Sequence, residues 1–245
     1  EELSISDFAN LEEWSSANNG NAFCKLKKLT VKICPKLAHI PLPQSLLHLE
    51  IRDCNPTLMP IADLSLLSVF IIDKIPDLMS LPERLFASAS LKSLTIRWCE
   101  ELSSLPQSVQ HLSSFRSLMV MNCPWFDSLP EGLQNVKTLH CLEISSCDNL
   151  IALPEWFEDL ASLRSLTIHD CPNLTQLLLG FKLLTKLQHL SIQECPELEE
   201  RCRQGSGEDW SKIAHVPHKY IGPPQVEQSG EASTSGSSSV QESSQ

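Results

Sequence analysis

A nine-residue segment, LKSLTIRWC (91–99), returns as FRSLMVMNC (115–123), LHCLEISSC (139–147), LRSLTIHDC (163–171) and LQHLSIQEC (187–195). The step between copies is 24 residues each time. A fixed period of this length means stacked supersecondary units that bury their apolar faces against one another. Earlier copies are LKKLTVKIC (26–34), LLHLEIRDC (46–54) and LSVFIIDKI (67–75), in which Ile75 replaces the final Cys. A degenerate first copy lies around Ile5 and Phe8. Anchored on Phe8 and then on the final Cys or Ile, the first steps are 26, 20 and 21 residues, so the N-terminal half is irregular.

Within a unit, Leu94 and Ile96 alternate with Thr95 and Arg97. Period two means a short strand with the aliphatic pair inward and Thr95 and Arg97 in solvent. Cys99 then turns inward. Proline follows at Pro35, Pro124, Pro172 and Pro196 and ends the strand, because it cannot donate to a ladder. Leu102 and Leu105 fill the next corner. A Leu-Pro step recurs at Leu81-Pro82, Leu105-Pro106, Leu129-Pro130 and Leu153-Pro154, followed by one or two loose helical turns. The expected fold is an α/β solenoid: a leucine-rich-repeat horseshoe, with a parallel β-sheet on the concave face and short helical or irregular turns on the convex face.

Seven cysteines (Cys34, Cys54, Cys99, Cys123, Cys147, Cys171 and Cys195) share one repeat position, so they should form a column of reduced, buried thiols rather than bridges. That implies a reducing compartment, cytosol or nucleus. Cys24, Cys141 and Cys202 fall outside the column, and no Cys-x-x-Cys pair supports zinc. The net charge of −11 argues against a nucleic-acid footprint, which needs a basic face. No apolar run reaches the length of a membrane span.

Three regions are expected. Residues 1–200 hold about nine repeats. The chain starts at Glu1 inside the pattern and reads as the C-terminal part of something longer, truncated at its N-terminus. Residues 201–221 form a cap, in which Ser206 and Asp209 suggest a capping box and Trp210, Ile213 and Val216 could cover the last coil. Residues 222–245 form a disordered tail, since 228–245 are Ser, Gly, Glu and Gln with almost nothing apolar. The polar stretch 15–22 reads as a loop.

The pattern LxxLxIxxCPxL, the step SLPExLxxLxSL and the ending CPELEERCRQGSGEDWSKIAHVPHKYI together resemble the C-terminal repeats of plant nucleotide-binding leucine-rich-repeat disease-resistance proteins of the coiled-coil type. The ending is the more specific part, with Arg201-Cys202, Gly207-Glu208-Asp209-Trp210 and His215-Val216-Pro217. The resemblance implies a region that recognises a pathogen effector or a guarded host protein and restrains an intramolecular nucleotide-binding domain. This chain has no GxxxxGK[ST] loop, so no cofactor is assigned to it, and a nucleotide is expected only in an upstream domain.

The exposed strand positions are the candidate protein-binding residues. One column runs Thr95, Met119, Glu143, Thr167, Ser191. The next runs Arg97, Met121, Ser145, His169, Gln193. Beside it lies Trp98, in a third row with Asn122, Ser146, Asp170 and Glu194. Trp98, Met119 and Met121 are apolar where a solvated face should be polar, a mark of binding surfaces, although Trp98 could also lean over its neighbours as packing. His140, His169 and His189 lie near this face without an orienting carboxylate and read as solvated. His169-Asp170-Cys171 is rejected as a thiol enzyme because Cys171 belongs to the buried column. No catalytic constellation survives, and an enzyme is not expected. Asn173-Leu174-Thr175 is a glycosylation sequon by chance. Acidic runs at Glu100-Glu101, 197–200 and Glu208-Asp209 read as solvated turns, or as a contact to a basic partner surface.

Two other functions compete. F-box ubiquitin-ligase adaptors also carry Cys-bearing repeats, but lack the recurring Leu-Pro step and this ending. Plant extracellular receptors usually carry Asn at the turn and Gly-x-Ile-Pro, where this chain has Cys and Leu-Pro.

Overall fold

In a computed structural model of the chain, residues 1–14, 23–59, 64–87 and 89–222 are described. The stretch expected to loop at 15–22 and almost all of the expected tail lie outside them. Ten parallel strands stand side by side in chain order. They are β1 (Glu2–Ser6), β2 (Lys28–Cys34), β3 (His48–Cys54), β4 (Val69–Asp73), β5 (Ser93–Arg97), β6 (Ser117–Met121), β7 (Cys141–Ser145), β8 (Ser165–His169), β9 (His189–Gln193) and β10 (His218–Ile221). The first nine are the nine sequence copies. Their register keeps equivalent positions together: Leu94 lies between Phe70 and Leu118, and Ile96 between Ile72 and Val120. All six are fully buried.

The sequence shortens in the early copies without losing this register. Leu29 still faces Leu49 and Val31 faces Ile51. The missing residues come out of the connections, where a length change does not shift a strand by one position and so does not turn its apolar set outward.

In β2 to β9 each strand ends at one residue with left-handed backbone, immediately before the inward Cys or its equivalent. These are Ile33, Asp53, Lys74, Trp98, Asn122, Ser146, Asp170 and Glu194, with φ between 48° and 56°. For a residue with a side chain this conformation costs about 1–2 kcal/mol. Neighbouring coils hold it in place: the Trp98 N–H donates to Met121 O at 3.0 Å, Asn122 N–H to Ser145 O at 2.8 Å and Ser146 N–H to His169 O at 2.9 Å. Asp and Asn tolerate the conformation by their local hydrogen bonding, but Ile33 and Trp98 have no such aid.

The thiol column is buried as expected, and all ten cysteines are free. Cys147 Sγ donates to Ser145 O at 3.4 Å, and Cys171 Sγ to His169 O at 3.4 Å. Burial pushes Cys99 and Cys171 up to about 12, and Cys54 and Cys123 up to about 11. Opposite the sheet, five 3₁₀ turns follow one another at Glu83–Ala87, Gln107–His111, Glu131–Asn135, Glu155–Asp159 and Leu179–Leu183. Pro106, Pro130 and Pro154, each extended, precede three of them. Leu85, Val109, Leu133, Phe157 and Phe181 point from these turns into the core. The last two rings stack at 5.2 Å.

The C-terminal region is more than a helical lid. Helix α1 (Pro196–Arg201) and helix α2 (Trp210–Ile213) are followed by β10, which pairs in parallel with β9, Tyr220 facing Ser191. Ile213 and Val216 are buried and Trp210 is partly buried against the core. The capping-box reading is corrected. Asp209 precedes α2, but its carboxylate does not cap that helix. It is fully buried, accepting from the Leu177 N–H at 2.8 Å, Lys212 Nζ at 2.6 Å and Arg201 Nη2 at 3.2 Å. Lys212 Nζ also donates to Leu177 O at 2.6 Å. Burial alone would raise the Asp209 pKa, but hydrogen bonds from Lys212, Leu177 and Arg201 outweigh it and hold it below the usual value. This ionic knot ties the cap to the last full repeat. Among the described residues no helix is long and apolar enough to cross a membrane.

Candidate protein-binding face

The exposed wall of the sheet carries aligned rows because strand side chains alternate between faces. Register joins Thr95, Met119, Glu143, Thr167 and Ser191 in one row, and Arg97, Met121, Ser145, His169 and Gln193 in the next. The two candidate columns therefore exist as continuous rows. Thr95, Arg97, Met119, Met121, Glu143, Thr167, His169, Ser191 and Gln193 are half-buried by their neighbours rather than fully in solvent. Ser145 departs from expectation. It is only 6% exposed. Its register partners are the larger Met121 and His169, which overshadow a short side chain. Trp98 is 49% exposed, so it is not folded away as packing.

Met121, Glu143, Ser145, Thr167 and His169 line a shallow depression of about 420 Å³ with Asn122 and Ser146. Small side chains at Ser145 and Ser146 form its floor. Larger ones at Met121 and His169 bound it. Thr95 Oγ1 lies 3.7 Å from Met119 Sδ, joining two of the candidate residues across the strands.

His169 does have a carboxylate beside it, contrary to the sequence reading. Glu194, at the left-handed position of the next coil, brings Oε1 to 3.4 Å from His169 Nε2. Asp170 accepts from Ser146 Oγ at 2.9 Å and is not directed at the imidazole. Cys171 is buried and donates to backbone carbonyls, so these three residues do not assemble a nucleophile and its base. His140 Nδ1 contacts Thr138 O at 2.5 Å, and His189 stacks on His218 at 4.8 Å. Among the described residues no group of three His, Cys, Asp or Glu is placed to hold a metal ion. Asn173 is exposed, with Nδ2 donating to Asp148 O at 2.8 Å.

Sequence reasoning missed the N-terminal part of these same rows. They continue through Ile71, Glu50 and Thr30, and through Asp73, Arg52 and Lys32. This half is charged and paired: Lys32 meets Glu50 at 2.9 Å, and Arg52 meets Asp73 at 3.7 Å. Asp73 Oδ1 and Arg97 Nε are buried without a hydrogen-bond partner. His48, at the start of β3, is held below its usual pKa by burial and then by Lys28. The signal is present in the alternation of copies two to four. Their irregular steps hid that their exposed positions belong to the same rows.

No protein-family model matches the chain, and no curated protein matches it. Solved structures match by fold. The leucine-rich repeat domain of the type III effector XopL is 23% identical with a TM-score of 0.71, covering 91% of this chain and 76% of that one. A leucine-rich-repeat protein of Leptospira interrogans is 17% identical with a TM-score of 0.55, covering 90% and 60%. The plant peptide hormone receptor RGFR1 in complex with RGF2 is 17% identical with a TM-score of 0.56, covering 81% of this chain and 36% of that one. The fold is a leucine-rich-repeat solenoid. The chain spans about three fifths of the Leptospira protein and about a third of the receptor chain.

Proposed function

We propose that this chain is the ligand-sensing and autoregulatory leucine-rich-repeat region of an intracellular plant immune receptor. In this reading the sheet face recognises a pathogen effector or a guarded host protein, and the same region restrains a nucleotide-binding domain elsewhere in the full-length protein. One observation carries it: two half-exposed rows on a rigid sheet, with Met119, Met121 and Trp98 set among polar residues beside a shallow depression. Trp is enriched among the few residues that dominate binding energy, and Met is enriched at protein interfaces. Rows anchored on strands also hold their spacing when side chains are exchanged. The plant receptor and bacterial effector neighbours support a protein-binding use of this fold. The ending 195–221, by its resemblance to disease-resistance proteins, supports the immune assignment. The buried, free thiol column favours cytosol or nucleus as the compartment.

The test is an exchange of the two rows, Thr95 to Ser191 and Arg97 to Gln193, with those of a relative of different specificity. Recognition should move with the rows in a cell-death assay. If specificity stays with the parent backbone, the sheet face is not the recognition surface.

A further inference from the structure

A groove of about 640 Å³ opens at the C-terminal ends of β3, β4 and β5, beyond the two rows. Pro76 contributes apolar surface over the buried Ile75, and the half-exposed Trp98 indole forms one wall. The left-handed backbone at Trp98 holds the ring at this rim, and its N–H is locked to Met121 O. Arg52 is already engaged by Asp53 at 3.9 Å and Asp73 at 3.7 Å. Asp77, Glu100 and Glu101 form no ion pair or hydrogen bond among the described residues, and Lys74 supplies the one unpaired cation in the lining. Three free carboxylates therefore line the same groove as an exposed aromatic ring. In water, each carboxylate alone would be a solvated surface group. Around a groove with an indole wall they instead complement a ligand that is flat, cationic and able to donate several hydrogen bonds.

We propose that this groove receives an arginine side chain from a protein partner, the guanidinium lying on Trp98 and donating to Asp77, Glu100 or Glu101. Arginine fits better than lysine, because its planar fork stacks on an indole and pairs with a carboxylate through two parallel bonds. The site goes beyond the sheet-face reading. It adds a specificity contact at the rim and names its chemistry.

The probe is a blocked pentapeptide, Gly-Ser-Arg-Ser-Gly, titrated into the whole chain while the indole N–H resonances are followed by NMR. Trp98 is assigned by its loss in Trp98→Phe. A shift of the Trp98 indole with the arginine peptide, absent with the neutral citrulline peptide, is expected. Trp98→Ala should weaken binding about two- to thirtyfold, the range of a cation–π contact. Glu100→Gln with Glu101→Gln should weaken it further and flatten its salt dependence. These exposed carboxylates have no partners to lose, so the second variant remains informative if Trp98→Ala perturbs the coil. Equal binding of the citrulline peptide, or an unchanged affinity in Trp98→Ala, would reduce the groove to general acidic attraction and overturn the proposal. No indole shift at millimolar peptide would do the same. The row exchange is scored with intact partner in cells, so transferred specificity with a silent Trp98 indole refutes the groove alone.

Discussion

At the scale of single residues, burial decides chemistry more than residue type does. Ten cysteines share one chain, yet only Cys24 and Cys141 are exposed. The thiolate is the reactive form, and burial pushes Cys202 as well as Cys99 up to about 12. Native protein treated with a thiol reagent at pH 8 should label two cysteines quickly and the other eight only on denaturation. Fast labelling of Cys147 or Cys171 would contradict a closed column. Asp209 shows the same rule for charge. Its folded pKa is lowered, so its stabilisation is complete above the ordinary carboxylate pKa of about 4 and is lost as pH falls through the folded value. Removing it in Asp209→Ala leaves the Leu177 N–H without its acceptor and Lys212 and Arg201 without their shared carboxylate, a loss of about 3 kcal/mol at neutral pH. Hydrogen exchange should show the loss at β9 and β10 first. Asp209→Asn should also flatten the acid limb of the stability profile, and an unchanged limb would mean that the knot does not couple the cap to pH.

At the scale of elements, the 3₁₀ turns are packed closely enough that two glycines become unequal. A Cβ on Gly132 would lie 2.2 Å from Gln107 O, a backbone atom of the preceding turn. A Cβ on Gly180 would meet Glu158, whose exposed carboxylate can swing away but whose Cβ, at 2.7 Å, is held by its backbone. Gly132 also donates its N–H to Gln107 Oε1 at 2.7 Å. Gly132→Ala should therefore cost about 1–3 kcal/mol in urea unfolding. Gly180→Ala should destabilise by less than Gly132→Ala, because one side-chain Cβ contact remains to be relieved rather than a backbone carbonyl, and the stiffer unfolded chain offsets part of that cost. Equal effects at both positions would mean that the turns are looser than described. The strands behave more uniformly. Leu142→Ala, in the middle of the stack, removes a fully packed side chain and should cost about 2–5 kcal/mol.

At the scale of the whole molecule, stability is a sum of neighbouring contacts along one axis, so the two ends differ in kind. At the C-terminal end α1 and α2 pack on the last coil, and β10 is the edge strand. Among the described residues the β1 end carries an unpaired strand edge without a helix beyond it, with Leu3 and Ile5 half-buried and Phe8 51% exposed. Such an edge templates pairing with another chain. This chain in isolation should associate with rising concentration in sedimentation velocity. Ser4→Pro, which removes a ladder donor without touching the apolar core, should reduce that association. A concentration-independent monomer would show that the edge is already protected. The sequence alone determined the repeating coil, the inward leucines and thiols, and the two outward rows, because each is a local pattern repeated at a fixed step. It could not show that Ser145 is shaded by taller neighbours, that Glu194 reaches His169, or that Ile33 and Trp98 adopt a left-handed backbone. Nor could it show that Asp209 is buried under Leu177, or that 218–221 becomes a strand. Those outcomes depend on which coil lies beside which, and side chains 24 to 32 residues apart meet only after the stack has closed.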